Sequence, residues 1–108
     1  MTAAEWVRGR LGDTPPALLD AMLAALPEDA DLPVADALAE GAITLYRQLL
    51  SGGAGARRED ALPLLAADAL FTHALEAQAE IDPDGVPALA ERIGASGALA
   101  GLVPAIDR

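Results

Sequence analysis

Asp31-Leu32-Pro33-Val34-Ala35-Asp36-Ala37-Leu38-Ala39-Glu40-Gly41-Ala42-Ile43-Thr44-Leu45-Tyr46-Arg47-Gln48-Leu49-Leu50 is the stretch that decides the fold. An α-helix advances about 100° per residue, so residues three and four apart share a face. Ala35, Leu38, Ala39, Ala42, Leu45, Tyr46 and Leu49 fall together at that spacing. Asp36, Glu40, Thr44, Arg47 and Gln48 take the opposite side. This is the pattern of a helix with one buried and one wet face. Asp31-Leu32-Pro33 opens it, and the helix runs to about Leu50.

Reading outward, the same grammar recurs. Toward the N-terminus, Pro27 ends a helix carrying Leu18, Leu19, Met22, Leu23 and Leu26 at helical spacing. Thr14 and Pro15 start that helix, because proline suits the first helical position, where its missing N–H costs nothing. Further back, Thr2-Ala3-Ala4-Glu5 is a capping box, in which a threonine caps and a glutamate three residues on reaches back. The helix behind it turns Trp6, Val7 and Leu11 inward and stops at Gly12. Toward the C-terminus, residues 51–57 form a glycine-rich loop. A phosphate-cradling loop would need a preceding strand and a Lys-Ser/Thr pair, and neither is present. A fourth helix starts near Asp60 and reaches about Glu80, with Pro63 tolerated in its first turn. Asp82-Pro83-Asp84-Gly85 is a turn, a fifth helix covers Val86 to Ile93, and a last short helix spans 98–103. No stretch alternates with period two, so no sheet is expected. The fold class is all-α: a compact bundle of about five helices in a single domain, 1–108. The third and fourth helices form its central antiparallel pair, because short connections favour antiparallel neighbours.

Composition narrows the function. The chain has 108 residues, 53% hydrophobic but only 3% aromatic, so its apolar mass is mostly alanine and leucine. The net charge is −10, with no lysine and scattered arginines. Nucleic-acid binding requires cations against phosphates, so no nucleic-acid partner is expected. There is no cysteine, which excludes disulfides and thiolate metal sites. No apolar run approaches the length of a membrane span, and the N-terminus has no signal-peptide pattern. The expected compartment is the cytoplasm. Serine occurs only as Ser51 and Ser96 and histidine only as His73, so no nucleophile–base–acid constellation is indicated. His73, Glu76 and Glu80 share a helix side, but one histidine is too few for a di-iron motif. No cofactor, no metal ligand and no catalytic residue are assigned.

One helix breaks its own pattern. On the fourth, Leu64, Ala67, Leu70, Phe71, Ala74, Leu75 and Ile81 fall on a broad apolar side, with His73, Glu76 and Glu80 roughly opposite. Asp68 lands beside Leu64 and Leu75, and Gln78 beside Phe71. A buried carboxylate is costly unless it is paired. Asp68 therefore either pairs with one of Arg8, Arg10, Arg47, Arg57 and Arg92, or faces a ligand in a cavity between the third and fourth helices. In the second case Asp68, Gln78, Phe71 and Tyr46 are the ligand-binding residues.

Leu64-Leu65-Ala66-Ala67-Asp68-Ala69-Leu70-Phe71-Thr72-His73-Ala74-Leu75-Glu76 resembles a helix of the trans-isoprenyl diphosphate (polyprenyl) synthases, whose members carry a Leu-Leu-Ala-Gly-Asp-x-Leu-Leu-like run. Leu89-Ala90-Glu91-Arg92-Ile93-Gly94-Ala95-Ser96-Gly97-Ala98-Leu99-Ala100-Gly101-Leu102 looks like the family's next helix. The resemblance covers about residues 62–103. The family's two Asp-Asp-x-x-Asp-type motifs are missing, since Asp29-Ala30-Asp31 and Asp82-Pro83-Asp84 lack that arrangement. Only Asp68 carries over, and it lies outside the family's metal-ligand set. The resemblance implies a shared helical core, not catalysis. Two functions are therefore in view. One is a non-catalytic interaction or structural protein that self-associates through the fourth helix, with a protein partner also possible. The other is a helical module for an apolar or isoprenoid-like ligand.

Overall fold

The computed structural model describes residues 1–51 and 58–94. Five α-helices and no strand occur among them: α1 Ala3–Arg10, α2 Pro16–Ala25, α3 Val34–Ser51, α4 Ala61–Ile81 and α5 Val86–Ile93. Single 3-10 turns, Arg58–Asp60 and Pro83–Gly85, precede α4 and α5. Ser51 is the last residue of α3. The rest of the expected glycine-rich loop, and the expected helix over 98–103, lie outside the described residues.

The helix starts follow from local chemistry. The Thr2 hydroxyl accepts the Glu5 N–H at 3.1 Å, and the Glu5 carboxylate accepts the Thr2 N–H at 2.8 Å, so the capping box is complete. Both bonds satisfy N–H groups that a helix leaves orphaned at its start. At α2 it is Pro15 that holds the cap position, without a side-chain bond, and Pro16 that enters the first turn. Thr14 therefore does not cap. Asp82 accepts the Asp84 N–H at 3.1 Å and shapes the turn into α5.

The core is built around α3 and α4, which pack against each other more extensively than any other pair. From α3, Leu38, Ala39 and Ala42 are fully buried; from α4, Ala66, Ala67, Leu70 and Ala74 are. Gly41 is the point of closest approach. A Cβ there would meet Leu70 Cδ1 at 3.1 Å, the Ala25 carbonyl oxygen at 3.3 Å and Leu26 Cδ2 at 3.5 Å. One missing methyl thus lets both α2 and α4 close onto α3. Ala37 and Ile43 are also buried, so α3 is enclosed on more sides than its wet-face pattern suggests.

The burial of α4 corrects the expected face. Ala66, Ala67, Leu70, Ala74 and Ala77 are buried, while Leu64 is 41%, Leu65 56% and Ile81 70% exposed. At 100° per residue the buried side is rotated by roughly 60° from the one centred on the large side chains. The physical reason is distance. An alanine face opposite Ala35, Ala39, Gly41 and Ala42 lets two backbones approach closely and gain many dispersion contacts. A leucine ridge would hold them apart.

Candidate functional site

Tyr46 on α3 and Asp68 on α4 are the two expected site residues that the fold brings together. The Tyr46 hydroxyl donates to Asp68 Oδ1 in a short hydrogen bond. Tyr46 is half-buried and Asp68 is exposed. The rotation of α4 explains the change for Asp68: it stands on the flank of the helix pair, not on the core face where the sequence pattern put it. Its partner among the described residues is a hydroxyl and not an arginine; Arg57, one of the expected cations, lies outside them. Burial pushes the Tyr46 phenol well above its ordinary value, and the hydrogen bond to the Asp68 carboxylate and that group's negative charge push it further. Removing a proton from Tyr46 would set a phenolate beside a carboxylate in a partly dry setting.

The pair fixes the register of the two helices. Tyr46 stands level with Asp68, and one groove of about 230 Å³ is lined by both Asp36 and Gln78, together with Gly85, Ala88, Leu89 and Arg92. The same antiparallel register puts Leu50 level with Leu64. Leu50 follows Tyr46 by one helical turn and Leu64 precedes Asp68 by one, so both continue the same flank.

Gln78 and Phe71 stand apart from the pair. Gln78 is about 15 Å from Asp68 along the α4 axis, at 1.5 Å per residue. Its amide donates to the Asp82 carbonyl at 3.1 Å and lies over Gly85, where a Cβ would meet Nε2 at 2.5 Å. Gln78 thus ties off the end of α4 and seats the following turn. Phe71 is half-buried and packs against the core.

His73, Glu76 and Glu80 were expected on a solvated face; Glu76 and Glu80 are exposed there, while α1 reaches the same side and leaves His73 half-buried. Trp6 is buried, with its ring centroid 6.1 Å from that of His73. Arg10 lies over the Trp6 ring at 4.9 Å and forms a two-pronged ion pair with Glu80 at 2.7 and 2.8 Å. Hydrogen bonding to Arg10 holds the Glu80 carboxyl below its ordinary value, and the same bond raises the Arg10 guanidinium. His73 Nδ1 is 3.1 Å from Glu76 Oε1. The trio is divided between a local pair and an interhelical one, and no group of three or more His, Asp or Glu side chains converges as metal ligands among the described residues. A second interhelical pair, Arg92 with Asp36 at 3.0 Å, fastens α5 to the first turn of α3. Both cross-links join residues far apart in the chain, so no local signal announces them.

Several leucines are left partly exposed on α3 and α4. Leu50 and Leu62 are each 38% exposed, Leu64 41% and Leu65 56%, and in the chain they stand at the end of α3 and in the first turns of α4. No described helix is long and apolar enough to cross a membrane. No protein-family model, no curated protein and no solved structure matches this chain.

Proposed function

We propose that this chain is a non-catalytic interaction protein that associates with further copies of itself through the exposed leucines of α3 and α4. The observation that carries this reading is the exposure of Leu50 at the end of α3 and of Leu62, Leu64 and Leu65 in the first turns of α4. Exposed apolar side chains that adjoin one another on association give up water-exposed surface, which favours contact. Burying the exposed part of each leucine on association yields roughly 0.5–1.5 kcal/mol, offset by the entropy of association. The test is sedimentation equilibrium of the parent and of Leu64→Asp/Leu65→Asp. The parent is expected to associate in the micromolar range and the variant to be monomeric with its helical content intact. A strictly monomeric parent at high concentration overturns the reading.

A second reading rests on the Tyr46–Asp68 pair, which sets a carboxylate beside a half-buried phenol across α3 and α4. It is a module for an apolar, isoprenoid-like ligand with a polar head, in line with the polyprenyl synthase resemblance. Thermal shifts with prenyl diphosphates, with and without magnesium, test it. Shifts that disappear in Asp68→Ala support it, and shifts unchanged in that variant, or absent, sink it.

A further inference from the structure

The acidity of this chain is unevenly placed. Between Arg10 and Arg47 there is no lysine, arginine or histidine, while Asp13, Asp20, Glu28, Asp29, Asp31, Asp36 and Glu40 all fall there. That stretch makes α2, the join after it and the first half of α3. Among the described residues only Asp36 finds a cation, Arg92; the other six acids are exposed and form no ion pair. α2 adds to this field. Its last turn holds no basic residue, and the carbonyls at a helix C-terminus carry a partial negative charge that a cation stabilises.

An open groove of about 490 Å³ lies between these same elements. Ala21, Ala24 and Leu26 line it from α2 and its cap, and Thr44, Leu45 and Gln48 line it from α3. The alanines are too short to fill the space that the two helices leave on this side. Gly41 holds the helices together, since a Cβ there would meet the Ala25 carbonyl oxygen at 3.3 Å. Glu28 also lines the groove, and no described cation does. Glu40 precedes Thr44 by one helical turn and Asp20 precedes Ala24 by one, so both continue the faces that border it. A second depression of about 270 Å³ shares Leu26, Pro27 and Glu28 with the groove and adds Asp29, with Arg8 as its one basic residue.

An apolar lining beside carboxylates that lack counter-ions specifies its occupant. The lining gains from covering by an aliphatic side chain, and the carboxylates gain from cations brought across an interface. A second copy of this chain brings a further net charge of −10 and no lysine, so it does not match this surface. Nucleic acid and an anionic membrane are repelled for the same reason. We propose that the α2–α3 groove docks a basic, amphipathic segment of a partner protein. Its aliphatic side chains lie against Ala21, Ala24 and Leu45, and its lysines or arginines lie beside Glu28, Glu40 and Asp20. This surface shares no residue with the exposed leucines, so it stands apart from self-association.

The probe is a synthetic dodecapeptide of leucine and lysine with its leucines on one helical face, titrated into the isotope-labelled full chain and followed by amide chemical shifts. Saturable shifts are expected at Ala21, Ala24, Leu45 and Gln48, with an affinity that falls as sodium chloride screens the carboxylates. Two companion peptides separate the causes. Glutamine in place of every leucine is expected to weaken binding by about tenfold, and glutamate in place of every lysine to abolish it. Glu28→Arg/Glu40→Arg is expected to weaken the leucine–lysine peptide by about tenfold or more. Glu59→Arg/Glu91→Arg makes the same change in net charge away from the groove and is expected to alter the affinity by less than about twofold. No binding of the leucine–lysine peptide, shifts centred on Leu62, Leu64 and Leu65, equal binding of the glutamine peptide, or equal weakening in the two double variants overturns the proposal. The three peptides are compared on the parent chain, so that comparison decides even where a variant fails to fold.

Discussion

Tyr46 is the only tyrosine of the chain, so its ionisation can be followed alone by tyrosinate absorbance. Burial, the hydrogen bond to Asp68 and that residue's charge all raise its pKa. The native absorbance step is expected well above the ordinary tyrosine value of about 10. In Asp68→Ala it moves down but stays above the ordinary value, because burial is the first cause. The same shift makes a statement about stability. Below about pH 10 both folded and unfolded chains hold the proton and the stabilisation is complete. Above it the unfolded chain releases its proton first, so stability falls as pH rises toward the folded value. Urea titrations at increasing alkaline pH should show this decline in the parent and a shallower one in Tyr46→Phe. Equal slopes would mean that the phenol is not held as described. Asp68 was legible in the sequence as a polar residue out of place, but its hydroxyl partner was not, because nothing local joins positions 46 and 68.

At the scale of elements, contact between helices is governed by small residues. A single Cβ added at Gly41 would stand closer than ordinary contact to Leu70 and the Ala25 carbonyl and at van der Waals distance from Leu26. The glycine therefore costs α3 up to about 1 kcal/mol in helix propensity and returns it through the fit of two neighbours. Gly41→Val adds three carbons where even one is tight. It is expected to destabilise by about 2 kcal/mol or more in chemical unfolding, and a variant as stable as the parent would contradict the packing. The docking of α1 is a different kind of contact: a buried tryptophan capped by an exposed ion pair, Arg10 with Glu80. Glu80 has its folded pKa lowered, so its contribution is present above the unfolded value of about 4.3 and is lost as pH falls through the folded one. Melting temperatures between pH 6 and pH 3 should fall less in Glu80→Gln than in the parent. The difference is small for a solvated pair, and an identical acid limb would show that Arg10 does not hold Glu80 in solution.

For the whole molecule, acidity and apolar surface act against each other. A net charge of −10 favours dispersal, since like-charged copies repel, while the exposed leucines favour contact. Screening weakens the repulsion beyond about 8–10 Å at physiological salt and leaves the apolar contact in place. Self-association is therefore expected to strengthen between 0.05 and 0.5 M sodium chloride, read by light scattering after size exclusion, and to do so only while Leu64 and Leu65 are intact. Weakening with salt would point to a contact made by ion pairs instead.

The sequence by itself determined the number and order of the helices among the described residues, most of their ends and the central position of α3 and α4. These rest on local causes: hydrogen bonds over three residues at Thr2–Glu5, prolines at positions 15, 27 and 33, and the period of the apolar residues. It also made Asp68 and Tyr46 visible as candidates. Only the tertiary structure decided which side of α4 is buried, what Asp68 touches and where α1 docks. Periodicity weighs side chains by hydrophobicity, whereas two helices choose the faces that let them come closest. For α4 the alanines gave the shorter distance, and the leucines with the larger transfer energy were left at the surface.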